Sequence, residues 1–285
     1  MTGPTFSPEL FAIDLDGTLV EPRRPVRPAV VAAVKRATAA GVKIVLVTGR
    51  MVAGAKPFAE MLELGGALVC YQGAVIADAR TGRFEREVPL ANALALRAYD
   101  VAKTHGLHVQ FYRDDRFYVE ENNAYAQLYT RTSGVEPVVV PSLPTEFAGR
   151  DSTKVNVVTD PERTPEVLAL MQAALGDEAY VTRSNPEFVE VLDRRVDKGV
   201  ALRLVADREG IAIDRVAAIG DSYNDLPLLR AAGFAIAMGS APEELKREAH
   251  AVVADVEHDG VAEAIERFVV PRVAGDLPRA GFTRS

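Results

Sequence analysis

The sequence predicts an α/β protein in which a parallel-sheet core is interrupted by an inserted α+β domain, and three observations predict it. Short apolar runs alternate with helical stretches from Leu10 to Tyr71 and again from Lys198 onward. Polar clusters stand where the apolar runs end. Between the two α/β pieces, strands follow one another across short turns, which is antiparallel spacing. Residues 1–83 and 192–285 are thus expected to form the core, and residues 84–191 the insertion.

Taken in order, Leu10–Ile13 is a buried parallel strand that runs directly into Asp14-Leu15-Asp16-Gly17-Thr18. Residues 28–40 have helical composition, and Gly41 stands where a helix end favours a left-handed residue. A strand over 42–47 ends at Thr48-Gly49-Arg50; a helix over 51–64 stops at Gly65-Gly66; a third strand covers 67–71. Strand, helix, strand, helix, strand is the pattern of right-handed parallel crossovers. A hairpin follows, 75–77 with 84–88, then a helix (92–105), two strands (109–112, 116–119), a helix (124–132) and a strand (154–159). A helix (165–175) and two strands (179–183, 188–191) complete the insertion, whose least regular part is 133–150, rich in Pro, Gly and Ser. The α/β rhythm resumes with helix 198–209, strand 215–219, helix 226–232, strand 234–237, helix 243–248, strand 251–254 and helix 260–268. From Pro271 the chain reads as a loosely held tail.

Composition narrows the function classes. With 33 Lys and Arg against 40 Asp and Glu the net charge is −7, and no basic block could follow a nucleic-acid backbone. The single cysteine, Cys70, lies in an apolar strand and reads as a core residue. Its four histidines form no metal-ligand spacing, which disfavours zinc. No apolar run approaches the ~18 residues of a membrane span, and the N-terminus lacks a signal pattern, so a cytoplasmic protein is expected. The oligomeric state stays open.

Two carboxylates at a strand's carboxyl end lie where ligands bind in open α/β sheets, and like charges that close call for a bound cation or a shared proton. Each polar cluster also has an ordinary structural reading: Asp-x-Asp-Gly-Thr as a turn, Thr48-Gly49 as a helix entry, Lys198 as a solvated first-turn lysine, Asp221 as a helix cap. Together, however, two acids, a hydroxyl with backbone amides, a lysine and the second acidic pair in Gly220-Asp221-Ser222-Tyr223-Asn224-Asp225 supply what phosphoryl transfer needs.

On these residues the chain resembles the haloacid dehalogenase superfamily, specifically its Cof-type sugar-phosphatase branch. DLDGT, TGR, DKGVAL and GDSYND occur in the family's order, followed by AIAMGSAPEELK and EHDGVAEAI. Gln72-Gly73-Ala74 stands where the family usually has Asn-Gly-Ala, Ser240 where it has Asn, and Pro227-Leu228 where Glu-Met is common. The resemblance implies a Rossmann-like core with an inserted class II α+β cap domain. It implies Asp14 as a nucleophile that forms an aspartyl-phosphate, Asp16 as acid and then base, and Thr48 and Gly49 as phosphate ligands. Mg²⁺ would be held by Asp14, the Asp16 carbonyl and Asp221, with Asp225 in support and Lys198 adding a positive charge. Asn224 would orient Lys198 or Asp16, and Arg50 would either touch the phosphate or substrate or make a salt bridge at its helix start. The function implied is a Mg²⁺-dependent phosphatase for a small phosphorylated metabolite, with a sugar phosphate as the default class. A phosphomutase or phosphotransferase on the same scaffold, or a catalytically silent phosphosugar-binding regulator, are the alternatives; a dehalogenase would give Asp16 and the metal acids no work.

Overall fold

The computed structural model describes residues 7–21 and 24–270, so the expected tail from Pro271 lies outside the described residues. Strand β1 (Leu10–Ile13) is buried along its whole length, as a strand covered on both faces must be. Helix α1 (Pro28–Ala39) leads to β2 (Lys43–Val47), and α2 (Val52–Met61) leads to β3 (Ala67–Cys70). Both steps are parallel. A hairpin, β4 (Val75–Asp78) and β5 (Phe84–Glu87), extends this edge antiparallel.

The chain then builds a second sheet from α3 (Asn92–Thr104), β6 (His108–Arg113), β7 (Arg116–Val119), α4 (Ala124–Ser133), β8 (Val138–Val139), α5 (Leu143–Glu146), β9 (Val155–Val158), α6 (Thr164–Leu175), β10 (Ala179–Asn185) and β11 (Phe188–Asp193). Its six strands run β10-β11-β9-β6-β7-β8, antiparallel except for β7 with β8. The stretch 133–150, expected to be irregular, contains both β8 and α5. Returning to the first sheet, the chain forms α7 (Lys198–Glu209), β12 (Val216–Gly220), α8 (Leu226–Ala231), β13 (Phe234–Ala237), α9 (Glu243–Glu248), β14 (Ala251–Val252) and α10 (Gly260–Ala264). The first sheet has the order β14-β13-β12-β1-β2-β3-β4-β5. Strand β1 therefore sits between β2 and β12, where strand order reverses.

One boundary differs from the sequence reading. Phe84–Glu87 belongs to the first sheet, since the tight turn after β4 returns it to the sheet edge; its charged, mostly exposed side chains suit an edge strand. The chain leaves that sheet after Glu87, and β11 continues the second sheet to Asp193. Among the described residues, no helix is long and apolar enough to cross a membrane.

The second sheet has two unlike faces. Val109, Phe111, Val155, Val157, Val189 and Val191 pack with residues of α3 and α6 in one apolar cluster. Alternation turns the intervening residues the other way. Gln110, Asn156, Glu190 and Thr182 form a row in direct register across β6, β9, β11 and β10, and all four are buried. This polar face looks onto the carboxyl-end rim of the first sheet, where Lys154 Nζ donates to Gly49 O at 2.9 Å.

A second contact joins the two bodies. Asp115, at the β6–β7 turn, accepts from the backbone N–H of Val52 at 2.9 Å and of Ala53 at 2.7 Å, and from Tyr71 Oη at 2.9 Å. Helix α2 has no side-chain cap of its own, so Asp115 satisfies its orphan donors from the other body. Replacing Asp115 by Ala is expected to lower unfolding free energy by about 1–2 kcal/mol, the usual worth of an N-cap, measured by urea denaturation. An unchanged midpoint would mean that the contact is not populated in solution.

Candidate active site

Because β1 lies between β2 and β12, the residues just past the three strand ends, Asp14, Thr48 and Asp221, meet on one rim. Asp14 is nearly inaccessible, and its backbone N–H donates to Ile219 O at 3.1 Å. The chain then turns sharply at Gly17, whose φ of +85° is left-handed; a Cβ there would stand 2.3 Å from Asp221 Oδ2. Only glycine fits. The turn lets Thr18 Oγ1 donate to Asp221 Oδ1 at 2.9 Å.

Lys198 enters from the first turn of α7, which Asp197 caps by accepting from Val200 N at 2.7 Å. Its wholly buried ammonium donates to Asp14 Oδ1 at 2.5 Å and to Asp225 Oδ1 at 2.6 Å. The other Asp225 oxygen accepts from the backbone N–H groups of Asp221 and Ser222, each at 3.0 Å. Gly220 makes room for this, since a Cβ would lie 2.5 Å from Asp225 Cγ.

Three carboxylates, those of Asp14, Asp221 and Asp225, offer oxygens within 4.8 Å of one another, against the single ammonium of Lys198. Burial, then Asp225, pushes the Asp14 carboxyl well above the ordinary range even though Lys198 pulls it down. Burial and Asp225 likewise push Asp221 up to about 7. Burial alone would lower Lys198, but Asp14 and Asp225 outweigh it and hold its ammonium above the usual lysine range. The site has more carboxyl groups than its lysine can neutralise, which is why they hold their protons, and an all-oxygen carboxyl set of this kind fits a hard divalent cation that would displace those protons.

Asp16 is not in this cluster. Arg50 Nε donates to Asp16 Oδ2 at 2.7 Å and Arg50 Nη2 to Asp16 Oδ1 at 2.5 Å, a two-pronged ion pair. Of the two roles open to Arg50, the structure shows an ion pair, and its partner comes from the loop after β1. Thr48 is buried, and its Oγ1 accepts from Arg50 N at 3.1 Å. Asn224 corrects an expectation: its Nδ2 donates to Gln72 Oε1 at 3.1 Å, not to Asp16, and Lys198 is held instead by Asp14 and Asp225. Asn224 and Asp225 are neighbours in the short turn after Ser222, and their side chains diverge. Gln72 itself has a φ of +57°, a left-handed conformation that asparagine adopts more readily than glutamine.

Sequence reasoning missed Lys154 and Glu190. Both are buried and ion-paired, and the second Glu190 oxygen accepts from Gln72 Nε2. The ammonium also lies over the rings of Tyr112, Tyr129 and Tyr71, 4.8, 5.9 and 5.6 Å from their centroids. A signal was present, since each charge alternates with valines along a buried strand or at its start, but its partners become visible only once the sheets face each other. The partly open space between them, about 30 Å³, is lined by Asp14, Asp16 and Asn224 from the first sheet and by Tyr129, Lys154 and Glu190 from the second body.

The acids thus stand at the switch point of a Rossmann-like sheet, with the polar face of the second sheet over them. The family model of haloacid dehalogenase-like hydrolases matches residues 11–265, and the chain belongs to that family. The pyridoxal phosphate phosphatase YbhA of Escherichia coli (strain K12) is 28% identical over 273 residues, covering 92% of this chain and 98% of that protein. The 5-amino-6-(5-phospho-D-ribitylamino)uracil phosphatase YcsE of Bacillus subtilis (strain 168) is 28% identical over 263 residues, covering 92% and 96%. A crystal structure of a haloacid dehalogenase-like hydrolase from Bacteroides thetaiotaomicron superposes with a TM-score of 0.80 at 29% identity, covering 92% of this chain and 99% of that one.

The raised Asp221 carboxyl has a consequence for pH. Between the ordinary 3.8 and about 7 the folded chain keeps a proton that the unfolded chain has released, so without metal this group makes stability fall as pH rises through that window. A divalent cation competes with the same proton. Adding Mg²⁺ should therefore raise the melting temperature more at about pH 8 than at about pH 5.5 in a thermal melt; equal rises at both would contradict the carboxylate assignment.

Proposed function

We propose that this hydrolase is a Mg²⁺-dependent phosphatase of a small phosphorylated metabolite, with a sugar phosphate as the default class, and that it works through an aspartyl-phosphate on Asp14. The observation that carries this reading is the convergence of Asp14, Thr48, Lys198 and Asp221, from four separate segments, around a surplus of carboxylate charge. Relatives named for pyridoxal phosphate and for a phosphoribitylamino compound support small organic phosphates as substrates.

A carboxylate and a phosphate dianion repel by about 4 kcal/mol per charge pair at 4 Å with an effective dielectric of 20. Lys198, fixed on Asp14, offsets part of that repulsion. Asp14, Asp221 and the Asp16 carbonyl, with Asp225 in support, would hold Mg²⁺, which when bound neutralises phosphoryl oxygens and favours in-line displacement. Thr48 Oγ1 and the Gly49 N–H would receive the remaining phosphoryl oxygens. Asp14 attacks phosphorus, the P–O bond to the leaving group breaks, and Asp16 supplies the leaving oxygen with a proton. Asp16 then takes a proton from the water that attacks the phosphorus of the aspartyl-phosphate, and the bond from phosphorus to the Asp14 oxygen breaks, which frees phosphate and restores the carboxylate. Arg50 engages both Asp16 oxygens, so this pair must part before either oxygen reaches a leaving group.

The second body lies over the transfer site and touches its rim at Gly49 O, so substrate entry calls for it to swing away as a cap and return. On return it excludes bulk water and strengthens every charge interaction below it.

A screen of phosphate release over a panel of phosphorylated metabolites with Mg²⁺ tests the activity; an isomeric sugar phosphate formed without release would mark a mutase. Asp14→Asn, nearly isosteric but without the nucleophilic charge, should abolish turnover with the melting temperature retained. Near-normal release by that variant would remove Asp14 from the mechanism. Asp16→Asn should slow alkyl phosphates by about 10²–10⁴-fold and an activated aryl phosphate much less, because the aryl group leaves without a proton. Equal losses on both would rule out the acid role.

A further inference from the structure

The cap's inner face carries charge into the transfer site where apolar packing would be simpler. Lys154 and Glu190 are each about 1% exposed, and a buried ion pair commonly contributes no more stability than apolar residues of the same volume. The two side chains stand on the polar face of the cap sheet and line the same enclosed space as Asp14, Asp16 and Asn224. Resting on the phosphatase reading above, we propose that Lys154 and Glu190 read the leaving group: they accept an uncharged one that bears hydroxyls and turn away one that brings its own carboxylate or second phosphate.

The charge pattern of the pocket carries this. Two cations line it, Arg50 and Lys154, and Lys198 stands beside it; each is matched by a carboxylate, Arg50 by Asp16, Lys154 by Glu190, and Lys198 by Asp14 and Asp225, while Arg183, next to the lining Ser184, lies over the Tyr223 ring instead. An added anion on the leaving group would find no unmatched cation among the lining residues and would face Glu190 and Asp16. A hydroxyl meets no such obstacle, because one oxygen can accept from the ammonium while its proton goes to the carboxylate.

The closed form already shows surrogates for such a group. Lys154 Nζ donates to Gly49 O, a neutral acceptor, and Glu190 accepts from the Gln72 amide, a neutral donor. Both partners belong to the core, so they are lost when the cap swings and are available for exchange with a substrate hydroxyl. Asn224 adds a further acceptor: its Oδ1 is buried, has no partner, and its side chain lines the space. Tyr129 Oη, likewise buried, without a partner and lining the space, adds a hydroxyl that can donate or accept, so the walls offer a ligand O–H group partners of both kinds.

The test compares two substrates that differ in one group, glycerol 3-phosphate and 3-phosphoglycerate, using the full chain with Mg²⁺, and adds p-nitrophenyl phosphate, whose leaving group carries neither hydroxyl nor carboxylate. The wild type should favour glycerol 3-phosphate by at least about tenfold in kcat/KM, mainly through KM, since a mismatched charge in a closed site is rejected more strongly than a lost apolar contact. Glu190→Gln, which leaves Lys154 without its counter-charge, should narrow that ratio, and Lys154→Met should widen it. A merely structural pair would lower both substrates in proportion. Melting temperatures check that the variants fold, and the wild-type ratio stands independently of them. A wild type that hydrolyses 3-phosphoglycerate as well as glycerol 3-phosphate, or a folded Glu190→Gln with an unchanged ratio, overturns the inference while p-nitrophenyl phosphate turnover leaves the phosphatase reading intact. No phosphate release even from p-nitrophenyl phosphate would overturn that reading, and this inference with it.

Discussion

Lys198 is buried among more carboxylates than it can neutralise, and the rest of the molecule is arranged to keep it so. At a dielectric of 20, two carboxylates 4 Å apart repel by about 4 kcal/mol, so the cluster is held together against its own charge by backbone constraints. Those constraints are local and identifiable. Strand order sets β1 beside β12; Gly17 and Gly220 leave space where any Cβ would collide with Asp221 or Asp225; Asp197 fixes the start of α7. Two backbone N–H groups hold the far oxygen of Asp225, which frees the near one for the lysine. The carboxyl groups left over are what a divalent cation would bind, and that cation would offset the repulsion a phosphate meets from Asp14.

Much of this was legible in the sequence because of how parallel sheets are built. A strand covered on both faces, such as Leu10–Ile13, leaves an unbroken apolar run, and the polar residues that follow must then sit at its carboxyl end. Asp14, Thr48 and Asp221 could be placed on one rim by that rule alone. What could not be read were properties of pairing between distant segments. Phe84–Glu87 looks like the start of the insertion but returns to the first sheet through a tight turn. Asn224 was expected beside Lys198 or Asp16 and instead reaches Gln72, while Arg50 finds Asp16 across the rim. Lys154 and Glu190 sit on the face of the cap sheet opposite its valines, and nothing along the chain tells which body that face will meet.

The two bodies touch at the site through polar groups, beside an apolar seam in which Val52, Ala55 and Tyr71 pack with Tyr112, Phe117 and Ala126. Asp115 caps α2, Lys154 reaches Gly49 O, and Gln72 bridges Asn224 to Glu190. Polar contacts of this kind exchange readily for water, which suits the opening and closing proposed for the second body. Gln72, in a left-handed conformation at the junction, links the metal-side turn after β12 to the cap's ion pair. The same residue thereby joins the chemistry of the rim to the surface that faces the leaving group.

In the proposed mechanism Asp14 takes the phosphoryl group before water does, which makes the reaction two displacements at phosphorus instead of one. The steric course of hydrolysis of a substrate with a phosphorus made chiral by oxygen isotopes and sulfur decides this directly. Two in-line displacements predict retention of configuration in the released thiophosphate. Inversion would mean a single direct attack by water and would contradict the role given to Asp14 and to the buried lysine beside it.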